Sequence, residues 1–296
     1  MTATPIFRGA ATALITPLHA GGVDYESMGR LIDWQIEAGI DALVIAGTTG
    51  EGSTLTDEEH RELLRFSAER IAGRVPMIAG TGSNDTAYAI ELSQYASELK
   101  YDGLLVVTPY YNKTTQRGLV AMFNAIADAA ASPVIVYNVP SRTGVNIEPA
   151  TYAKLVEHPN IRGIKEAGGN ISKIVETASL IGDRAYIYSG DDDQVVPIMS
   201  MGGQGVISVL SNLMPARIHE LCDRWFRGDA AGAAQLQCEL LPLCRAMFCE
   251  TNPIPVKAAM AAMGWCENYL RLPLVTMEEE HAEKMYALMR EYGLLN

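Results

Sequence analysis

A chain of 296 residues with 48% apolar and 20% charged side chains has ample material for a buried core, and no apolar run in it approaches the roughly 18–20 residues of a membrane span. Its formal charge of -12 sets it against nucleic acid and anionic membranes as partners, so an anionic substrate must be caught by a local positive site. The opening Met-Thr-Ala-Thr-Pro-Ile-Phe-Arg has neither the basic start nor the apolar stretch of a signal peptide, and the expected location is the cytoplasm.

Glycine-bounded apolar runs recur through the first three-quarters of the chain, each followed by a helix-like segment. The first strand is expected at 11–16, ended by Pro17, with its helix at 25–38. The second covers 41–46 and leads to a helix opened by Thr56-Asp57-Glu58-Glu59, where a cap hydroxyl and a carboxylate three residues on satisfy each other's free N–H groups. Strands at 75–79 and 103–108 come next, with helices at 85–99 and 116–130. The fifth strand is 133–138, and Pro149 marks the first turn of the helix beyond it. Ile161-Arg162-Gly163-Ile164-Lys165 reads as the sixth strand with a period of two; glycines, Asn170 as N-cap and a helix over 172–181 follow. The seventh strand, 185–189, precedes a helix over 194–201, and the eighth is 205–209.

Eight strand-helix units without a linker spell an α/β fold of the (β/α)8 barrel kind. An open doubly wound sheet is the weaker reading, since no G-x-G-x-x-G follows the first strand. From residue 215 the chain reads as wholly helical, more than one closing helix requires. The division drawn is a catalytic barrel over 1–229 and a C-terminal helical region over 230–296 packed on it, with breaks at Gly228-Asp229 and Asn252-Pro253 and a face suited to self-association. Cys222, Cys238, Cys244, Cys249 and Cys266, an odd number without a C-x-x-C pair, read as buried reduced thiols on helices.

In such a barrel, chemistry gathers where strands stop. Lys165 ends the sixth strand, and two readings stand: a solvated or Glu166-paired lysine, and a desolvated amine of lowered pKa that attacks a carbonyl to form a Schiff base. Strand two ends in Gly47-Thr48-Thr49-Gly50-Glu51-Gly52. These glycines let N–H groups turn inward beside two hydroxyls, a nest for a carboxylate or phosphate, or else a plain tight turn. Strands four and five stop at Thr108-Pro109-Tyr110-Tyr111-Asn112 and Tyr137-Asn138-Val139-Pro140-Ser141-Arg142-Thr143-Gly144, where tyrosines either pack or act at the mouth. Arg142 offers a two-pronged clamp for a carboxylate, or a rim salt bridge. Ser189-Gly190-Asp191-Asp192-Asp193 supplies three acids, read as charging and capping the next helix in preference to holding a divalent metal. Gly205-Val206-Ile207-Ser208 brings glycine backbone close to the centre. None of His19, His60, His158, His219 and His281 falls at a strand end, and H-E-x-x-H, P-loop and G-x-S-x-G sequences are missing. Those gaps turn the reading away from metal hydrolysis, phosphoryl transfer and serine hydrolysis, toward carbonyl chemistry through an imine.

The segments 47–51, 109–112, 137–144, 163–167 and 205–208, in this order, resemble the pyruvate-dependent class I aldolase superfamily, and within it the dihydrodipicolinate synthase family, over about residues 9–295. The resemblance implies a (β/α)8 barrel with a C-terminal helical extension, assembled as a homotetramer of two tight dimers, using no cofactor and no metal. By motif it makes Lys165 the residue that binds pyruvate as a Schiff base and Tyr137 the proton donor and acceptor. Thr48 becomes the link from Tyr137 to Tyr111, which reaches into the neighbouring subunit's site. Thr49 and the Ile207 backbone are implied to hold pyruvate, Gly190 to line the pocket, and Arg142 to clamp the carboxylate of aspartate semialdehyde, in a condensation of lysine and diaminopimelate biosynthesis. Lyases of N-acetylneuraminate or 2-keto-3-deoxy acids share the lysine and tyrosine but usually lack this arginine, and they form the alternative; a non-catalytic keto-acid sensor is a third reading. Lysine-inhibited relatives carry a histidine and a glutamate where this chain has Asp57 and Tyr88, with Ser53, His60, Asn84 and Tyr110 nearby, so weak or absent feedback inhibition is expected. Gly52 and Gly168 replace bulkier residues common in these motifs, without a functional conclusion.

Overall fold

The computed structural model describes residues 4–296; residues 1–3, part of the segment read as leaderless and as the start of the barrel, lie outside the described residues. Strand β1 (Gly9–Ala13) is followed by a small antiparallel hairpin, β2 (Leu18–His19) and β3 (Gly22–Val23), and by α1 (Tyr25–Glu37). Then come β4 (Ala42–Ile45) with α2 (Asp57–Ile71), β5 (Met77–Gly80) with α3 (Thr86–Glu98), and β6 (Gly103–Val107) with α4 (Gln116–Ala129). β7 (Val134–Asn138) leads into the short α5 (Pro140–Thr143) and α6 (Pro149–Leu155). β8 (Ile161–Glu166) precedes α7 (Ile171–Ile181), β9 (Tyr186–Ser189) precedes α8 (Val195–Ser200), and β10 (Gly205–Ser208) precedes α9 (Pro215–Phe226). Three more helices follow, α10 (Ala230–Ala246), α11 (Ile254–Ala262) and α12 (Glu279–Glu291). The parallel strands close in the order β1-β4-β5-β6-β7-β8-β9-β10 and back to β1, a TIM barrel.

Both faces of every barrel strand are buried, which is why the strands read as unbroken apolar runs. Alternation sends Ala11, Val44, Ile78, Leu105, Ile135 and Ile207 into the barrel interior and Ala10, Leu43, Ala79, Val106, Val136 and Val206 against the helices. Tyr188 joins the interior set, stacks on Phe7 at 4.3 Å and donates its hydroxyl to the Phe7 carbonyl. Closure between β1 and β10 is tight: Gly205 has φ +136°, and a Cβ there would overlap the Gly9 carbonyl. The helices begin where local chemistry tells them to. Thr56 and Glu59 form the reciprocal cap of α2, Asn170 accepts from the Lys173 N–H at α7, and Pro149 opens α6.

Several expectations shift for physical reasons. The first strand ends at Ala13, three residues early. Residues 14–16 stay buried without belonging to the strand: Ile15 N–H donates to Asn212 Oδ1, and the Thr16 hydroxyl donates to the Gly50 carbonyl. In β8 the period of two is broken. Val134 pairs with Ile161 and Ile135 with Gly163, leaving Arg162 as an extra residue, so Ile161 and Ile164 both face the helices. That bulge sets which face Lys165 takes. The C-terminal stretch is not wholly helical, because 263–278 is irregular between α11 and α12. Of the cysteines, all free, Cys222 and Cys244 are buried, whereas Cys238 and Cys249 are exposed and Cys266 half-buried; Cys249 and Cys266 lie outside helices. No helix among the described residues is long and apolar enough to cross a membrane.

The substitution Gly205→Ala is expected to cost roughly 4 kcal/mol or more, since it adds both overlap and backbone strain at the barrel's seam. Thr56→Ala, which removes only the α2 cap, should cost about 1 kcal/mol. Chemical denaturation of the two variants beside the parent chain measures both losses.

Candidate active site

The register of β7 with β8 places Tyr137 directly beside Lys165. Both side chains face the interior, and Lys165 Nζ sits 4.3 Å from the centre of the Tyr137 ring. Lys165 is only 5% exposed. Burial pulls its pKa down to about 8; Asp191 and Asp192 pull the other way, and the Arg142 guanidinium adds to the lowering. Glu166, one residue on, faces the opposite side of the sheet. Its carboxylate accepts from Tyr152 Oη (2.7 Å), Asn138 Nδ2 (2.9 Å) and the Gly168 N–H (2.7 Å), and burial raises its pKa. The lysine is therefore neither solvated nor paired with Glu166.

Tyr137 is buried, and its pKa is pushed up to about 12 by desolvation, with Arg142 and a hydrogen bond to Thr48 working in the other direction. A phenol held that high is neutral, and its hydroxyl is hydrogen-bonded to that of Thr48. Thr48 belongs to the loop after β4, where Glu51 N–H donates to the Thr48 carbonyl and Gly52 N–H to that of Gly47. Thr49, beside it, is buried and its hydroxyl accepts from Asn252 Nδ2 at 3.0 Å. Gly50 fits closely here: a Cβ would lie 3.0 Å from the Leu14 carbonyl oxygen.

Arg142 lies on α5 at the barrel mouth, exposed, with Nη2 donating to the Asn252 carbonyl at 2.9 Å. Gly190 lets the chain after β9 approach the lysine, since a Cβ there would come within 3.2 Å of Lys165 Cε and 2.7 Å of Ala167 Cβ. A cavity of about 160 Å³ brings Lys165, Tyr137, Thr48, Thr49, Arg142 and Gly190 together, with Asp191, Val209, Phe248 and Asn252 also on its wall. It adjoins a larger one of about 540 Å³, which shares Thr48, Tyr137 and Arg142 and extends to Ser53, Asp57, His60, Tyr88 and Tyr110. Two residues of the expected set stand apart. Ile207 is buried in the interior cluster and does not line the smaller cavity. Tyr111, with φ +68°, is 93% exposed and turned away from its own chain's pocket.

The three consecutive acids do not act as helix caps. Asp191 gives α8's leading turn no side-chain cap and instead faces Lys165; burial first, then its acidic neighbours, raise its pKa to about 6. Asp192 is buried and accepts from the N–H groups of Val209 and Leu210, both at 2.9 Å, tying β9's end to β10's. Asp193 is exposed, and no three metal-ligating side chains converge among the described residues. Sequence reasoning missed Asn252 and Asp191 as wall residues. In the sequence Asn252 reads only as a helix break, because its contact with Thr49 spans some two hundred residues.

What this arrangement can do is addition to a carbonyl. An amine of lowered pKa, a phenol in hydroxyl contact, a turn able to take a carboxylate and a guanidinium at the rim surround one small volume.

A sequence model of the Dihydrodipicolinate synthetase family matches residues 6–292. A protein of Thermoanaerobacter sp. (strain X514) described as 4-hydroxy-tetrahydrodipicolinate synthase is 52% identical over 292 residues, covering 98% of each chain. The dihydrodipicolinate synthase of Aquifex aeolicus superposes with a TM-score of 0.96 at 44% identity, covering 97% of this chain and 99% of that one. The chloride-inhibited dihydrodipicolinate synthase of Acinetobacter baumannii, solved in complex with pyruvate, gives 0.95 at 40% identity over 97% and 99%.

Because the Lys165 amine is half neutral near pH 8, reductive trapping of a small carbonyl compound on it should speed up about tenfold per pH unit below that point and level off above it. The pH profile of trapped Lys165, read by peptide mass, checks this; a rise continuing to pH 10 would mean an ordinary solvated amine.

Proposed function

The chain belongs to the dihydrodipicolinate synthetase family, and from that premise we propose that it condenses pyruvate with L-aspartate 4-semialdehyde to 4-hydroxy-tetrahydrodipicolinate through an imine on Lys165. The observation that carries the reading is the desolvated lysine amine over the Tyr137 ring, in one cavity with Thr49 and Arg142. The neutral amine attacks the ketone carbon of pyruvate and water leaves, giving the imine. Protonated, that imine withdraws electrons, the neighbouring methyl loses a proton, and the resulting enamine attacks the aldehyde carbon. The amino group of the adduct then displaces Lys165 as the ring closes, returning the free amine. Tyr137 and Thr48 carry the protons between these steps. Tyr111, exposed in its own chain, completes the relay in a neighbouring subunit's site, Thr49 and the Ile207 backbone hold the pyruvate carboxylate, Gly190 keeps the wall close, and Arg142 clamps the carboxylate of the aldehyde.

Arg142 also decides against a sugar-acid lyase, whose aldehyde partner carries hydroxyls where this one carries a carboxylate. Electron withdrawal comes from the imine itself, so the reading needs no cofactor. Residues 1–229 act as the catalytic barrel and 230–296 as the helical region on it. Five free cysteines suit a reducing compartment, the cytoplasm, in lysine and diaminopimelate biosynthesis. Ile171 and Val175, one turn apart on α7, and Met201 after α8 are exposed apolar residues on neighbouring elements, and Tyr111 and Leu272 are exposed large apolar side chains elsewhere. These exposed apolar residues support a homotetramer built from two tight dimers.

Turnover of pyruvate plus aspartate semialdehyde is expected, with no turnover of N-acetylneuraminate. Lys165→Ala should lose more than about a thousandfold in kcat. Arg142→Ala should raise the KM for the aldehyde about 10- to 100-fold while borohydride trapping of pyruvate persists. In the larger cavity the one carboxylate, Asp57, is already held by Arg61 at 2.8 Å and by the Tyr88 hydroxyl. Micromolar lysine should accordingly leave the rate unchanged in the same coupled assay. Sedimentation should report a tetramer, and Ile171→Asp with Met201→Asp a smaller species that keeps Lys165 trapping.

A further inference from the structure

Lys257 is a second buried lysine, and unlike Lys165 it is fully paired. It lies on α11 with 0% side-chain exposure, 2.7 Å from Glu51 Oε1, and donates to the carbonyls of Thr16 (2.6 Å) and Tyr269 (3.2 Å). One carboxylate oxygen in ion-pair contact and two carbonyl acceptors thus surround this ammonium in the interior. Glu51 is equally buried, at 1% side-chain exposure, and its other oxygen accepts from the Arg271 N–H at 3.3 Å. The Glu51 backbone sits at φ +55°, in the left-handed region that a non-glycine residue occupies only when its surroundings hold it there.

The same stretch reaches the loop at a second point. Asn252, five residues before Lys257, donates to the Thr49 hydroxyl at 3.0 Å, and its carbonyl accepts from Arg142 at 2.9 Å. Thr16, whose carbonyl accepts a hydrogen bond from Lys257, donates its own hydroxyl to the Gly50 carbonyl at 2.6 Å. Thr49, Gly50 and Glu51 are thus each gripped, directly or through Thr16, by a segment some two hundred residues further along the chain.

We infer that the Lys257–Glu51 ion pair is a positioning device for the substrate carboxylate: it locks the loop after β4 so that Thr48 stays on the Tyr137 phenol and Thr49 stays aimed into the Lys165 cavity. Neither member lines that cavity, so both are positioning residues and not catalytic ones. The inference rests on the keto-acid reading of the site. A pair that served stability alone would change the melting temperature and the yield of active protein, leaving the substrate requirement of each working site where it was.

The test uses the full chain, Glu51→Gln, Lys257→Met and the double variant, in which no buried charge is left without its partner, with Lys257→Arg and Thr56→Ala as controls. Borohydride trapping on Lys165 is titrated with pyruvate, and the trapped fraction is normalised to folded protein by circular dichroism. The expected result is a half-saturating pyruvate concentration raised about tenfold to a hundredfold in the double variant. Glu51→Gln, which keeps the side chain's shape, should show a smaller rise, and Lys257→Arg should recover part of the loss. Thr56→Ala, destabilised outside the site, should leave half-saturation unmoved. Should Lys257→Met fail to fold, Glu51→Gln alone decides. Half-saturation within about twofold of the parent in a folded variant overturns the inference. Absence of any label on the parent chain overturns the keto-acid reading, and this inference with it.

Discussion

The structure depends on keeping one lysine amine out of water. Lys165 loses its proton near pH 8 because burial disfavours its ammonium form by more than the facing carboxylates, Asp191 and Asp192, favour it. Each element around it serves that balance. The bulge at Arg162 turns Lys165 inward and Glu166 outward, the β7–β8 register sets Tyr137 alongside, and Gly190 removes the Cβ that would crowd the lysine stem. Had Glu166 faced the interior, a carboxylate within reach would have held the amine protonated and inert.

Two lysines in one molecule are hidden from solvent in different company. Lys257 meets a carboxylate and two carbonyls; Lys165 meets the face of a phenol ring, and burial pulls its pKa down to about 8. The charged pair lies outside the small cavity, so its field is spent on the loop backbone and not on the reacting nitrogen.

Much of this was readable in the sequence. Strand ends in a parallel barrel collect chemistry, so Lys165, Tyr137, Arg142 and the Gly47–Gly52 turn are candidates by position, each with a plain structural reading beside it until the family resemblance assigns roles, and the caps at Thr56 and Asn170 follow from side chains that bond within three residues. What escaped depends on contacts across long separations. Nothing near residue 257 in the chain says that its lysine meets Glu51, and nothing near Asn252 says that it meets Thr49. The Arg162 bulge was hidden because the run around it alternates acceptably without one. Asp192 looked like a helix cap by its place ahead of α8, yet its carboxylate is drawn to the two free N–H groups where β10 ends, a pairing visible only once the strands are side by side. The irregular stretch over 263–278 was read as helix because the helices flanking it are strong.

The grip of residues 252–257 on the loop after β4 has a consequence during synthesis. A ribosome delivers all eight strands, and with them the reactive lysine, well before it delivers Asn252 and Lys257. During synthesis the turn after β4 therefore waits for its partners, and its contacts with Asn252 and Lys257 close only when the polypeptide is nearly finished.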